Sequence, residues 1–281
     1  STGCLTAGRI KAEHALFPYV TDDLLHRNAH FTGPVTILRI QQDSKNYIWE
    51  PFSKHKQTFN REHNLYKNSL GDIVVFEEKN HTLGLTYSYK WQASAEYGFV
   101  RKSSLINFGE KSLQVELLDG LRNIMPAGVE LRTQQEMSNL ANAYKVSEYM
   151  PDANCALFFM NALLMDRPEP GESLYTNLVW SCYNGKKIIS LNEEDIARFT
   201  DNGAFSRAHL VKGKPGSFFT KIEKKLEPGS EIHWYTVADV HQSQSEVTHL
   251  ISDLNDASNI ELKLEESIQK NHLLLQSAIG S

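Results

Sequence analysis

Cysteine is scarce in this chain of 281 residues: Cys4, Cys155 and Cys182 are all it has. An odd count with no Cys-x-x-Cys pair argues against a disulfide framework and a structural zinc site. Long apolar runs are missing too. The longest, Cys155 to Met165, is broken by Asn161 and falls far short of the ~20 residues that a membrane-spanning helix needs. No basic-then-apolar leader is visible, so the reading is a cytoplasmic protein with no membrane partner. Cations are not in excess, with Lys+Arg 29 against Asp+Glu 34 and a net charge of −5. Binding to a nucleic-acid backbone needs clustered cations, so nucleic acid is not expected as a partner.

Several catalytic motifs are absent as well. The sequence holds no Gly-x-Ser-x-Gly elbow, no Gly-x-Gly-x-x-Gly turn and no Gly-x4-Gly-Lys-Ser/Thr phosphate loop, which removes the usual signatures of serine hydrolases and nucleotide enzymes. His26 and His30 have the i, i+4 spacing of helical metal ligands, but the Glu that follows the first His in zinc proteases is missing. They read as polar residues in a loop before a strand at Val35, and no metal is expected. The adjacent acids Glu77-Glu78, Glu193-Glu194-Asp195 and Glu265-Glu266 read as solvated surface. Neighbours on a strand point to opposite faces, so such pairs do not converge on one glycosidic bond.

What is present is a period of two. Leu83, Leu85, Tyr87, Tyr89 and Trp91 alternate with Gly84, Thr86, Ser88 and Lys90, as on a strand with one apolar face. Leu113, Val115 and Leu117 alternate with polar neighbours in the same way. Phe218 to Leu226 leads through Glu227-Pro228-Gly229 into a second alternating run, Ile232 to Ala238, the pattern of a hairpin. Further strands are predicted at Val35–Ile40, Asp72–Phe76, Tyr97–Lys102, Ala156–Met165, Leu174–Trp180 and Lys186–Leu191.

Helical signals are few. Thr133 with Glu136, Ser243 with Glu246 and Ser258 with Glu261 have capping-box spacing. The first precedes Met137, Leu140, Ala141 and Tyr144; the second precedes Val247, Leu250, Ile251 and Leu254; the third precedes Leu264 and Ile268. Many strands followed by two helices predict a mainly β chain, a large antiparallel two-sheet sandwich with a few helices. Residues 1–240 form the β domain and 241–281 a helical linker. The first linker helix should dock on the sandwich, and the second should leave apolar area uncovered.

Aromatic residues are the remaining signal. Tyr47-Ile48-Trp49-Glu50-Pro51-Phe52 places three rings beside a carboxylate, a composition suited to the C–H faces and hydroxyls of sugars. Asn46 to Phe52 resembles a Tyr-Trp-x-Pro-like stretch in cellobiose phosphorylases and their relatives, with Ile48 inserted between Tyr and Trp. Leu118 to Gly128, Asn139-Leu140 with Ala143 to Lys145, Asp166 to Pro170, and Trp234 to Asp239 are similar to segments of the large bacterial relatives of those enzymes. The resemblance spans about residues 30–255. It implies a galactose mutarotase-like supersandwich, the N-terminal domain of a glycoside phosphorylase or glycoside hydrolase acting on β-linked glucosides.

In that family the catalytic aspartate and the phosphate site belong to an (α/α)6 barrel beyond the linker. No residue here is then catalytic and no cofactor is expected, inorganic phosphate being a co-substrate of the parent enzyme not bound here. The implied partners are the missing barrel, an oligosaccharide and a second copy in a homodimer. Carbohydrate or interface contact is assigned to Tyr47, Trp49 and Glu50, with Asp166 and Arg167 as companions; for Trp49 this requires an accessible ring. The alternative is a free-standing sugar-binding module or an aldose mutarotase-like epimerase. The epimerase would need a His and a Glu converging in a cleft, with His63, His81, His209 and His233 as candidates.

Overall fold

The period-two segments do form strands in the computed structural model, which describes residues 8, 10, 13–20, 27–53, 58–162, 173–256 and 259–279. First come β1 (Gly33–Gln42), β2 (Lys45–Trp49), β3 (Arg61–Lys67), β4 (Val74–Asn80), β5 (Leu85–Ser94), β6 (Gly98–Asn107) and β7 (Leu113–Ile124). Two short helices follow, α1 (Leu131–Glu136) and α2 (Ser138–Tyr144), then β8 (Lys145–Met150), β9 (Cys155–Met160), β10 (Tyr175–Cys182) and β11 (Lys187–Ser190). After α3 (Asp195–Asn202) come β12 (Leu210–Lys212), β13 (Gly216–Leu226) and β14 (Glu231–Ser243), and the chain continues into α4 (Gln244–Asn255) and α5 (Ile260–Ile279).

The strands make two antiparallel sheets. The small one has the order β11-β13-β7-β1-β2, and the large one β12-β8-β9-β10-β14-β6-β5-β4-β3. Their facing sides bury one continuous set of side chains, among them Leu38, Trp49, Leu85, Leu105, Leu117 and Ile222. Gly120 marks the tightest approach within the small sheet. A Cβ there would lie 1.9 Å from the Phe218 carbonyl oxygen, so β13 crosses β7 where the side chain is only hydrogen.

The sequence predicted a hairpin around Glu227-Pro228-Gly229, and the structure corrects this. β13 pairs with β7 and β11, whereas β14 pairs with β6 and β10. The turn therefore carries the chain from one sheet to the other, and alternation alone does not distinguish that from a hairpin. The Thr133–Glu136 box is also corrected: Thr133 is buried inside α1, and the helical run breaks at Met137. The Ser243–Glu246 box forms as predicted, while Ser258 lies outside the described residues.

Helices cover two outer faces. Val247, Leu250 and Leu254 of α4 and Leu264 and Ile268 of α5 pack on Tyr97, Trp180, Tyr235 and Val237 of the large sheet. β14 is consequently buried on both sides through its centre. Along α5, Leu262, Leu273, Leu274 and Ile279 remain exposed. On the small sheet, Phe199 of α3 packs on Val35, Ile37, Leu118 and Phe219. Among the described residues, no helix is long and apolar enough to cross a membrane.

Candidate functional site

The outer face of the small sheet changes character along its strands. In β1 the outward residues run Val35, Ile37, Arg39, Gln41; the first two pack beneath Phe199 of α3, and Arg39 reaches the carbonyls at the end of that helix. β7 switches at the same level, from Leu118 to Glu116 and Gln114. The open half is thus set by sequence: apolar side chains end where the packing under α3 ends.

Register aligns the polar side chains into rows. Asn46 of β2 pairs with Gln41 of β1, Gln41 with Gln114 of β7, and Gln114 with Lys225 of β13. The next row contains Ile48, Arg39, Glu116 and Glu223. Asn46, Gln41 and Gln114 are exposed, and none of their side-chain amides is hydrogen-bonded among the described residues. Arg39, in contrast, donates to the Thr200 carbonyl at 2.9 Å and sits 3.7 Å from Glu116. These residues, with Tyr47 and Asp201, bound a groove of ≈ 290 Å³.

The segment beyond β2 turns inward around a buried carboxylate. Glu78 of β4 is wholly buried. The Trp49 indole N–H donates to its Oε1 at 2.8 Å, and the Phe52 backbone N–H donates to its Oε2 at 2.5 Å. His63 Nε2 lies 2.7 Å from the same Oε2, and Arg61 Nη1 lies 3.5 Å from Oε1. Phe52 adopts φ 63°, a conformation disfavoured for a bulky side chain that persists only when its surroundings enforce it. The hydrogen bond to Glu78 is one such constraint. Trp49 is 0% exposed and belongs to the core. This corrects the expectation of an accessible ring: the indole is held by Glu78 and by packing, with no free face to stack on a sugar. The reading of Glu78 as solvated surface is overturned by the same contacts, and Asp195 is likewise wholly buried.

Beside this turn lies a polar cluster between the sheets. Arg101 Nη1 donates to Asp119 Oδ1 at 2.7 Å, and its Nη2 donates to Tyr87 Oη at 2.7 Å and Thr36 Oγ1 at 3.1 Å. Thr36 donates to Asp119 Oδ1 at 2.6 Å, and the Trp234 indole donates to Oδ2 at 2.7 Å. Burial opposes the charge on Arg101, but Asp119 outweighs it and shifts the guanidinium pKa upward. Burial also pushes the Tyr87 hydroxyl up to about 12, so it remains a donor at neutral pH. Thr36, Glu50, Phe52, Tyr89, Arg101 and Arg122 line an interior cleft of ≈ 60 Å³ next to this cluster. None of these interior residues except Glu50 was singled out as a site residue from sequence. Asp119 and Trp234 lie in blocks that carried the family resemblance, which was the available signal.

The structure separates the sequence candidates. Tyr47 lines the outer groove and Glu50 the interior cleft, while Asp166 and Arg167 lie outside the described residues. His63, His81 and His233 each pair with a glutamate: Glu78, Glu62 and Glu261. None of these pairs lines either cleft, and Glu78 has no surface to offer a substrate. His209 makes an edge contact with Tyr149. His26 lies outside the described residues, and among those described no group of three His, Cys, Asp or Glu side chains could hold a metal ion.

A further cleft of ≈ 390 Å³ lies between α4 and the large sheet, with Glu96, Asp239, Glu246 and Asp253 on its walls. All four carboxylates are engaged, Asp253 by Lys263 and Tyr97, Glu96 by Lys270, Glu246 by the helix cap and Asp239 by the Val240 backbone N–H. Those of Asp253 and Glu96 hold the helices to the sheet.

No family model matches the sequence, and no curated protein does so either. Among solved structures, the chain is similar to one described as a putative kojibiose phosphorylase from the human microbiome. Identity is 11% and the TM-score 0.48, over 85% of this chain and 27% of that one. A polysaccharide lyase is similar at 8% identity and a TM-score of 0.46, over 85% and 30%. The heparan sulfate lyase of Pedobacter heparinus follows at 9% and 0.32, over 82% and 28%. The chain thus spans less than a third of the length of each, and no residue role is transferred from any of them.

Proposed function

We propose that this chain is a non-catalytic carbohydrate-binding domain of a larger glycoside phosphorylase or hydrolase acting on β-linked glucosides. The oligosaccharide would lie along the open half of the small sheet. The observation that carries this is the row Asn46–Gln41–Gln114, whose exposed amides have no hydrogen bonds among the described residues. A side-chain amide offers both a donor and an acceptor, so the row matches successive sugar hydroxyls, which are donors and acceptors too. The groove volume of ≈ 290 Å³ suits a sugar unit. A non-catalytic role is supported by Glu116, whose carboxylate is engaged by Arg39 and Lys221. The exposed leucines of α5 support a contact with the catalytic barrel in the same reading.

Calorimetric titration with cello-oligosaccharides tests it. Gln41→Ala with Gln114→Ala should weaken binding roughly five- to 150-fold, the equivalent of losing two hydrogen bonds of about 0.5–1.5 kcal/mol each. The melting temperature should not change. Failure of the wild-type chain to bind any β-linked glucoside would refute the assignment.

A further inference from the structure

The interior cleft holds polar groups that no other described residue uses. Arg101 is 1% exposed, yet its Nε has no acceptor among the described residues, and neither does that of Arg122. A buried donor without a partner costs about 1–3 kcal/mol, and two such donors belong to residues that line one cleft, with no acceptor among the described residues. The charges differ as well. Arg101 is neutralised by Asp119 at 2.7 Å. Arg122 donates only to the Ala29 and His30 carbonyls, and makes no ion pair among the described residues. Burial lowers its pKa against the more distant pull of Glu50 and Glu193. On the same wall, the Glu50 carboxylate accepts no hydrogen bond from any described residue.

Size narrows the choice of ligand. About 10–15 Å³ measured this way admits one water, so ≈ 60 Å³ takes roughly four to six water-sized groups. That excludes a whole pyranose ring and fits a tetrahedral oxyanion. Two arginine N–H groups require acceptors on the ligand, and the free carboxylate requires a hydroxyl on it. We propose that the cleft between β1, β5, β6 and the Glu50–Ser53 turn binds an oxyanion that carries its own proton, hydrogen phosphate. Sulfate carries no proton near neutral pH and would face Glu50 as a like charge. From sequence, phosphate is assigned to the parent enzyme and not to this chain, and phosphate bound in this cleft departs from that expectation. The outer groove is a separate surface, so this inference stands independently of the sugar reading.

The test is a ¹H–¹⁵N NMR titration of the whole chain at constant ionic strength, following the Thr36, Phe52 and Ser53 amides and the Arg101 and Arg122 Nε–H signals. Inorganic phosphate should give saturable shifts. Sulfate should bind at least roughly tenfold more weakly, because a ligand hydroxyl is part of what the site reads. Glu50→Gln should bring sulfate to near parity with phosphate, and Arg122→Lys, which keeps the charge but lacks Nε, should weaken phosphate. Glycerol phosphate, whose phosphoryl group is mostly a proton-free dianion near neutral pH, should bind as weakly as sulfate, and glycerol phosphate equal to inorganic phosphate would contradict the reading. No saturable phosphate shift, sulfate equal to phosphate in the wild type, or the same shifts with glycerol would overturn the proposal.

Discussion

The two sides of the small sheet carry polar side chains in opposite conditions. Inside, Thr36 and Asp119 occupy facing positions of β1 and β7, and Asp119 accepts from three neighbours. Outside, Gln41 and Gln114 also face each other across β1 and β7, yet their amides have no partner among the described residues. The first pair is committed to the fold and the second is available to a ligand. The same division separates Trp49 from Asn46, three residues apart on β2. Residue type therefore says little about role here; engagement decides it.

Substitutions should break this contrast most sharply inside. Asp119→Ala leaves the Arg101 guanidinium buried without its counter-charge, and should cost about 3–5 kcal/mol in urea unfolding. Trp49→Phe keeps an aromatic ring but leaves Glu78 Oε1 without the indole donor. It should cost about 1–3 kcal/mol, with no more effect on sugar affinity than its loss of stability explains. A cost under 0.5 kcal/mol would mean that Glu78 does not need the indole.

A smaller, pH-dependent effect is expected where α5 meets the turn before β4. Burial would raise the Asp72 carboxyl, but hydrogen bonds from His272 at 2.6 Å and Asn68 outweigh it and hold its pKa below the ordinary value. A carboxyl whose pKa is depressed by folding contributes stability that is complete above its unfolded pKa and is lost as pH falls through the folded one. Hydrogen exchange in the His272 turn of α5 should therefore accelerate on acidification below the usual carboxylate range, and Asp72→Asn should remove that dependence. The smallest effect belongs outside. Gln114→Ala should change stability by less than about 0.5 kcal/mol, since nothing in the fold rests on that amide.

Much of the architecture was legible because alternation reports burial directly. The runs at Leu83–Trp91, Leu113–Leu117 and Phe218–Leu226 became β5, β7 and β13 with small boundary shifts. Alternation does not report partners, which is why the turn after β13 was read as a hairpin when it joins two sheets. β3, with its sequence Arg-Glu-His-Asn-Leu-Tyr-Lys, went unread because an edge strand exposed on both faces has no apolar side to reveal it.

The site was less legible, for a related reason. Trp49 and Glu78 look like surface groups until a long-range contact, 29 residues apart, shows that each satisfies the other. Arg101 and Asp119 meet only because β6 and β7 lie in opposite sheets. The open half of the small sheet did leave a trace: the change from Val35 and Ile37 to Arg39 and Gln41 at constant spacing marks the end of apolar packing under α3. That trace becomes meaningful only once β2 and β7 are known to flank β1.

The most direct test follows the side-chain amide signals of Asn46, Gln41 and Gln114 by NMR while a cello-oligosaccharide is titrated, with the indole N–H signals of Trp49 and Trp234 as interior controls. Saturable shifts of the three amides with both indoles unmoved is the result predicted for an outer row that binds the sugar and an interior that takes no part in it. Amides that stay fixed, or indoles that move in their place, would contradict it.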